Sequence, residues 1–238
     1  MTPPGPRATV PGPSRPGARV HGGAARPFTV LLGPDYAGKS SVLRRLADDP
    51  SWTVVSYDRG LLDTGSPLVG RVRDEFLAEA LCDPGRYSPD LVLSLLQVAV
   101  VHLRDRVATA PRDTHVLVDS YYFKILAKCH LLGLRNEALF SWWRGFPQPE
   151  RVLFLDVTPD LAWRRSGHGA DANSLEHYGE RPTAQTFQSF QTDLRRTLLT
   201  EVSHLDVTTI EPGHTIEETV RAVEAATVER VNRNPQHV

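Results

Sequence analysis

Short apolar runs alternate along the chain with longer stretches of helical periodicity. Five of these runs have the length and the Val, Leu and Ile content of buried strands, and they cover residues 28–32, 52–57, 115–119, 151–156 and 205–210. Strands that are separated by helices and apolar on both faces are typical of a parallel sheet covered on each side. The pattern therefore predicts an α/β fold with three layers, α/β/α, around a five-stranded parallel sheet.

The helical stretches differ in character. Residues 67–81 form one predicted helix, which a Pro-Gly turn ends. Asp90 caps a long helix over about 91–108, and because this helix is apolar nearly all round we expect it to be buried. The polar stretch 166–180 contains three glycines, and we expect it to be a mobile lid that closes over a ligand.

The first predicted strand leads into the sequence Gly-Pro-Asp-Tyr-Ala-Gly-Lys-Ser at 33–40, which has the G-x-x-x-x-G-K-S pattern of a phosphate-binding P-loop. The glycines let successive backbone N–H groups point at one anion, Lys39 reaches the β- and γ-phosphates, and the Ser40 hydroxyl ligates Mg²⁺. A strand before the motif and a helix after it favour this interpretation over a chance turn. The predicted nucleotide-binding residues are Gly33, Asp35, Tyr36, Ala37, Gly38, Lys39, Ser40 and Ser41.

Two carboxylates follow other predicted strands and reach the same edge of the sheet, where α/β folds bind ligands. Asp119 is positioned to hold the shell of a Mg²⁺ ion, and the alternative is a cap on the next helix. Asp58 is positioned to take a proton from a hydroxyl acceptor, and the alternative is a turn residue or an ion pair with Arg59.

The charge and the apolar content of the chain argue against some classes of binding partner. The net charge is −1, with no cluster of basic residues, so we expect no nucleic-acid partner. The longest apolar stretch, 91–103, is interrupted by polar residues and too short for a membrane span. Cys82 and Cys129 are predicted to be reduced, packed thiols of a cytoplasmic protein.

Residues 1–27 are rich in Pro, Gly, Ala and Arg and contain no Leu, Ile, Asp or Glu, so we expect a disordered tail before a P-loop domain at 28–238. The nine histidines show no metal-ligand spacing, and His168 and His177 are predicted to be solvated. The aromatic residues around Trp142 and Trp143 predict packing or a subunit contact, which allows for a homodimer.

From about Phe28 to Leu199 the chain resembles the thymidylate kinase family. The P-loop carries Asp35 where that family has an acidic residue, Asp119-Ser120-Tyr121 stands where it has Asp-Arg-Tyr, and residues 155–160, Leu-Asp-Val-Thr-Pro-Asp, resemble its strand-to-helix junction. Arg165, Glu176 and the helix at 187–199 match further positions. The resemblance implies a P-loop kinase fold, transfer of a phosphoryl group from Mg-ATP to a nucleoside monophosphate, and a role for Asp35 in holding the acceptor's sugar hydroxyl.

The departures from the family concern its arginines. Ser120 replaces the arginine that grips the acceptor's phosphate, Tyr36 stands where one subgroup has a catalytic arginine, and the lid has no arginine between Gly167 and Glu180. The helix from Leu91 also lacks the early aromatic residue and the arginine that recognise thymine. The loss of a phosphate grip leaves open whether the acceptor is a phosphate or a hydroxyl.

Each of the other candidate residues has both a functional and a structural interpretation. Arg165, and with less weight Arg164, suits the transferring phosphoryl group, and otherwise lies on a solvated helix face. Ser94 and Gln97 share one side of the long helix and either read an acceptor or bond within the core. The predicted catalytic residues are thus Lys39, Asp58 and Arg165. The predicted acceptor-binding residues are Asp35, Asp58, Arg59, Gln97 and Tyr121.

Three functions fit these features. An ATP-dependent, thymidylate-kinase-like phosphotransferase acting on a nucleotide-like acceptor comes first. A kinase for a hydroxyl of a nucleoside or other small molecule, with Asp58 as base, comes second. A P-loop ATPase or switch module is the third, and it is disfavoured because no water-positioning glutamine or guanine-reading motif is evident.

Overall fold

The computed structural model describes residues 26–62, 65–83, 85–213 and 215–228. Most of the predicted tail, and the C-terminal end of the predicted domain, lie outside these residues. Within them the chain forms one parallel sheet with the strand order β2-β3-β1-β4-β5. The strands are β1 (Thr29–Leu32), β2 (Trp52–Val55), β3 (His115–Asp119), β4 (Arg151–Leu155) and β5 (Val207–Ile210). The five-stranded parallel sheet is therefore as predicted, and it is consistent with a P-loop kinase fold.

Helices connect the strands and cover both faces of the sheet. They are α1 (Lys39–Ala47), α2 (Pro67–Arg71), α3 (Ala78–Cys82), α4 (Pro89–Thr109), α5 (Phe123–Leu131), α6 (Glu137–Arg144), α7 (Pro159–Arg165), α8 (Ala184–Glu201) and α9 (Ile216–Val228). Among the residues that the structure describes, no helix is long and apolar enough to cross a bilayer.

The alternation of side chains along the strands produces two apolar cores. In β1, Val30 and Leu32 join one core while Leu31 joins the other. The same alternation places Phe154 of β4 in the first core and Leu155 in the second. Successive strand residues point to opposite faces, so both faces of the sheet are buried beneath helices. This arrangement is the three-layer architecture that the apolar runs predict.

Helices α1 and α5 follow the neighbouring strands β1 and β3 but lie on opposite faces of the sheet. Val42 and Leu43 of α1 pack into one core, whereas Phe123 and Leu126 of α5 pack into the other. A crevice opens beyond the carboxyl ends of two strands whose following helices diverge in this way, and such crevices bind ligands. The P-loop and Asp119 both lie at this edge.

Two helix predictions need correction. Residues 67–81 do not form one α-helix, because the π-helical segment Val72–Leu77 separates α2 from α3. The long helix α4 is not buried all round, since Leu91 is 44% exposed while Leu93 is 1% exposed. An apolar surface position costs little, so apolar composition alone overstates burial.

The structure also bears on the expectations for the two cysteines, for His177 and for the tryptophan pair. Cys129 is buried as predicted, and burial raises the pKa of its thiol to about 12, but Cys82 is exposed. His177 is not solvated; it is 5% exposed beside the carbonyl of Tyr178. Trp143 is fully buried, whereas Trp142 is 44% exposed.

Candidate active site

The P-loop conformation depends on its two glycines. A Cβ on Gly33 would lie 2.5 Å from the backbone oxygen of Leu155, so the loop can leave β1 this close to β4 only without a side chain. Gly38 has a φ of 94° and is the N-cap of α1, where it supplies no capping side chain. The first N–H groups of α1 are thereby left to an anion at the helix N-terminus.

Lys39 closes the loop from inside. Its Nζ atom donates hydrogen bonds to the backbone oxygens of Gly33, at 3.0 Å, and Pro34, at 2.8 Å, and its side chain is buried. Burial, and next the nearby ammonium of Lys124, hold the pKa of Lys39 well below its usual value. A phosphate bound here would supply the negative charge that stabilises the protonated form of Lys39.

Asp119 is fixed by two hydroxyls. Ser56 donates to its Oδ2 atom at 2.9 Å, and Ser120 donates to its Oδ1 atom at 2.9 Å. The Oγ atom of Ser56 also accepts the backbone N–H of Asp58 at 3.0 Å. The ends of β2 and β3 are thus tied through one carboxylate, which has lone pairs left for the water shell of a metal ion.

Asp35 does not present a free carboxylate to an acceptor hydroxyl. Its Oδ1 atom pairs with Lys124 at 2.6 Å and with Lys128 at 3.0 Å, and its Oδ2 atom accepts from Gln191 at 3.0 Å. Burial acts to raise the pKa of Asp35, but Lys124 and Lys128 outweigh it and hold that pKa below its usual value. An acceptor hydroxyl would have to compete with these partners.

Gln191 links the P-loop to the predicted lid segment. Besides its bond to the Asp35 carboxylate, it accepts the backbone N–H of Asp35 at 2.9 Å and donates to the carbonyl of Glu176 at 3.1 Å. The hydroxyl of Tyr36 makes a parallel link, donating to the Asp171 carbonyl at 2.8 Å and to Glu176 at 3.0 Å. The lid segment therefore rests on the phosphate loop through both backbone and side chains.

The two arginines of α7 have different surroundings. Arg165 donates to the carbonyl of Tyr36 at 3.2 Å, which places its guanidinium over the P-loop. Arg164 instead pairs with Asp160 one turn away, at 2.8 Å, with both side chains well exposed. Arg165 is thus at the phosphate loop, while Arg164 lies on the solvated helix face that was its alternative.

At the far side of the site, Asp58 and Arg59 have separate partners. Asp58 lies 3.8 Å from Arg44, and its side chain is 33% exposed. Arg59 pairs with Asp74 at 3.0 Å. Arg73, in the π-helical segment, also pairs with Asp74 and donates to the Tyr57 carbonyl at 2.7 Å. Of the two alternatives for Asp58, a pair with Arg59 is not what the structure shows, but Asp58 does begin a turn, since its carbonyl accepts the N–H groups of Leu61 and Leu62.

These groups surround one cavity of about 850 Å³, a size within the range of small-molecule sites. Of the predicted site residues, those that line it are Asp35, Tyr36, Ala37, Gly38, Lys39, Ser40, Ser41, Asp58, Arg59, Asp119, Tyr121 and Arg165. Gln97 is not among the lining residues, and Ser94 is exposed with its hydroxyl bonded to the Asp90 carbonyl. The helix α4 is rotated about its own axis so that Leu96 and Leu103, and not Gln97, line the cavity.

Sequence reasoning missed the lysines of α5 and the glutamine of α8, although signals for both were present. Lys124 and Lys128 are four residues apart and so share a helix face. Gln191 stands between Phe187, Phe190 and Leu194 at the spacing of a buried stripe. A polar residue on such a stripe needs partners, which here are Asp35 and Glu176.

Comparisons with known proteins bear on the family. No protein-family model matches the chain. A curated thymidylate kinase from Caenorhabditis elegans is 27% identical over 153 residues, which cover 60% of this chain and 68% of that protein. This similarity supports a distant relationship to the thymidylate kinases and suggests a nucleotide kinase.

Proposed function

We propose that the protein is an ATP-dependent phosphotransferase that moves the γ-phosphoryl group of Mg-ATP to a nucleoside monophosphate-like acceptor. The observation that carries the proposal is the convergence on one cavity of the P-loop, Lys39, Asp119 and Arg165. A switch or simple ATPase needs the phosphate loop but not a second compartment. Here the cavity extends from the loop to Asp58 and Arg59, which leaves room for a second substrate.

The donor half would bind the triphosphate through the N-terminus of α1, Lys39 and Arg165. Ser40 and Asp119 both face the cavity and offer the hydroxyl and carboxylate oxygens that Mg²⁺ prefers, so they would hold the ion. When bound, Mg²⁺ supplies charge neutralisation on the phosphate oxygens. Among the described residues there is no cluster of three potential His, Cys, Asp or Glu metal ligands.

In the transfer step an acceptor oxygen forms a bond to the γ-phosphorus while the bond from that phosphorus to the β,γ-bridging oxygen breaks, and ADP keeps the electron pair. Charge gathers on the equatorial oxygens in the loose transition state. Lys39 and Arg165, which both line the cavity and bond to carbonyls of the loop, are placed to stabilise that charge. A phosphate acceptor is already ionised and needs no base.

The acceptor half contains polar groups that a ligand can satisfy. The hydroxyl of Tyr57 is buried without a hydrogen-bond partner among the described residues, and Tyr57 lines the cavity. Burial raises the pKa of this hydroxyl to about 12, so it would act as a neutral donor or acceptor. Buried polar groups in proteins are nearly always paired, which makes this one a candidate contact for the acceptor.

A second acceptor class is favoured by one observation, the use of the Ser120 side chain. Where the related family has a phosphate-gripping arginine, this hydroxyl is turned to Asp119. A hydroxyl acceptor would not need that grip but would need a base, and Asp58 lines the cavity with part of its carboxylate exposed. The alternative is therefore a kinase for a hydroxyl of a nucleoside or small molecule.

The proposal is tested by measuring ADP production from Mg-ATP against a panel of nucleoside monophosphates, nucleosides and hydroxylated metabolites. We expect acceptor-dependent turnover with a nucleoside monophosphate, and its loss in Lys39→Ala, because removing the main positive charge on the β- and γ-phosphates costs several kcal/mol at the transition state. The Arg164→Ala variant is the control, since Arg164 lies outside the cavity. Turnover that no acceptor increases, or that survives in Lys39→Ala at saturating Mg-ATP, would contradict the proposal.

A further inference from the structure

The chain contains only three lysines against 24 arginines, and all three lie in one cluster. Lys39 is in the P-loop, while Lys124 and Lys128 project from α5 to the same Asp35 oxygen, at 2.6 Å and 3.0 Å. All three line the cavity. Every lysine of this chain therefore lies at the phosphate loop, where its ammonium group acts as a compact point charge.

The cluster brings Lys39 and Lys124 close together, and after burial Lys124 is the largest cause of the lowered pKa of Lys39. The carboxylates that offset this repulsion are Asp35, Asp119 at the end of β3, and Glu176, which lies 3.7 Å from Lys128. Lys124 is 16% exposed and Lys39 is buried, so water screens their repulsion little. Two neighbouring buried cations are unfavourable unless an anion joins them. A negative ligand beside Lys39 would replace the repulsion between Lys39 and Lys124 by an attraction of both ammonium groups to the same anion.

The location of Lys124 suits such a ligand. It lies in the first turn of α5, three residues after Tyr121, and its ammonium pairs with Asp35 of the same loop whose Tyr36 carbonyl accepts from Arg165. Ser120 lines the cavity but carries no charge, and its hydroxyl donates to Asp119. Lys124, four residues further along the chain, therefore brings to the same cavity a positive charge that the serine does not supply.

We propose that Lys124 is a further phosphate-binding residue, whose ammonium contacts the terminal phosphoryl group together with Lys39. The inference rests on the proposed function, since it names a residue of the same site. When phosphate enters, Lys124 exchanges part of its contact with Asp35 for a phosphate oxygen, and the repulsion between Lys124 and Lys39 becomes a shared attraction. The ligand class is a polyphosphate chain, whether free or carried by a nucleotide.

The competing role for Lys124 is structural: it would hold Asp35, and Asp35 alone would shape the loop. The two roles differ in how the residues are coupled. If Lys124 acts only through Asp35, its removal has no effect once the Asp35 charge is gone. If it contacts phosphate, the effect of its removal persists in an Asp35→Asn protein.

Tripolyphosphate binding, measured by calorimetry, tests the proposal in the full chain. We expect Lys124→Met to bind about 10- to 100-fold more weakly than wild type, as loss of a charged hydrogen bond implies. The control is Arg164→Met, which removes an exposed positive charge outside the cavity and for which we expect a change below about threefold. Lys128→Met, which removes the other lysine partner of Asp35, should lose less affinity than Lys124→Met, and an equal loss would count against a direct contact of Lys124 with phosphate. The same loss for Lys124→Met must appear in the Asp35→Asn background; its disappearance there would overturn the proposal.

The outcomes also separate this inference from the proposed function. A wild-type protein that binds neither tripolyphosphate nor Mg-ATP contradicts both. A wild-type protein that binds them, with an unchanged Lys124→Met variant, overturns the inference about Lys124 alone.

A second measurement needs no destabilising variant. Labelling the wild-type chain with ¹³Cε-lysine gives three signals, one for each lysine, which Lys→Arg substitutions assign. On addition of tripolyphosphate we expect the signals of Lys39 and Lys124 to shift more than that of Lys128. A shift confined to Lys39 would show that Lys124 does not touch the phosphate.

Discussion

Replacing Gln191 with leucine removes the side chain that joins the P-loop to the lid segment while keeping a similar volume. Gln191 is fully buried on α8. Its amide makes three hydrogen bonds, two with Asp35 and one with the carbonyl of Glu176. Leucine can make none of them, so the partners lose bonds inside a region from which water is largely excluded.

The expected loss follows from the groups left unpaired. The backbone N–H of Asp35 and the carbonyl of Glu176 each lose a buried hydrogen bond, at about 1–3 kcal/mol per group. The Asp35 carboxylate keeps its two lysines, so its contribution should be smaller. The apolar surface gained by leucine offsets part of the loss, and we expect a net destabilisation of about 2–4 kcal/mol. For a domain of this size that corresponds to a fall in Tm of roughly 4–16 °C.

Thermal unfolding of Gln191→Leu and of the control Gln185→Leu provides the assay. Gln185 is on the same helix but exposed, so its replacement should change Tm by little. Hydrogen exchange of the peptide covering 33–41 should also be faster in Gln191→Leu, because the Asp35 N–H loses its acceptor. Equal melting temperatures for the two variants, together with unchanged exchange in the loop, would refute the role of Gln191 as the link.

Other predictions concern pH, catalysis, the lid and the tail. Because its folded pKa is lowered, ionised Asp35 stabilises the fold above its unfolded pKa of 3.8, and this contribution is lost as pH falls through the folded value; acid unfolding of Asp35→Asn should therefore be shallower than that of wild type. Asp58→Asn should lower turnover about 10²- to 10⁴-fold on a hydroxyl acceptor but act mainly through KM on a phosphate acceptor, and unchanged turnover on the true acceptor would eliminate Asp58 as base. Hydrogen exchange over 166–180 should slow when Mg-ATP is added, and equal rates with and without it would count against a closing lid. Deleting residues 2–24, which spares the bonds of Arg26 to the Ala110 and Thr114 carbonyls, should leave Tm and activity unchanged, and a large fall in either would show that the tail contributes.

The sheet could be predicted from sequence because the local composition of each strand already indicates that it is buried. Val30 and Leu31 point to opposite faces, and both are fully buried, as in a strand covered on each side. The P-loop could be predicted for a similar reason: its glycines and Lys39 are close in sequence, and the backbone conformation that they permit follows from residue type.

The partners of Asp35 could not be predicted in the same way. They come from α5 and α8, which are distant in sequence, and a lysine or glutamine within a helix reads locally as a surface residue. Which face of α4 is buried could not be predicted either, because an almost uniformly apolar helix has no distinct apolar stripe. Gln97 was thus assigned to the site, whereas Leu96 lies there.

The charges at the acceptor end bear directly on which acceptor the cavity takes. Arg59 and Arg73 both pair with Asp74, at 3.0 Å and 2.8 Å, and Arg73 is held further by the Tyr57 carbonyl. A phosphate entering from this end would have to compete with Asp74 for both guanidinium groups, whereas a hydroxyl acceptor would leave the ion pairs intact. Lys124 adds positive charge at the P-loop and not at this end of the cavity. Here the carboxylate of Asp74 neutralises part of the charge of both arginines. An acceptor phosphate must therefore displace Asp74 from these arginines, whereas a hydroxyl acceptor needs Asp58 as its base. The response of turnover to Asp58→Asn should thus divide the acceptor classes, while Lys124, which contacts the transferred group in either case, should not.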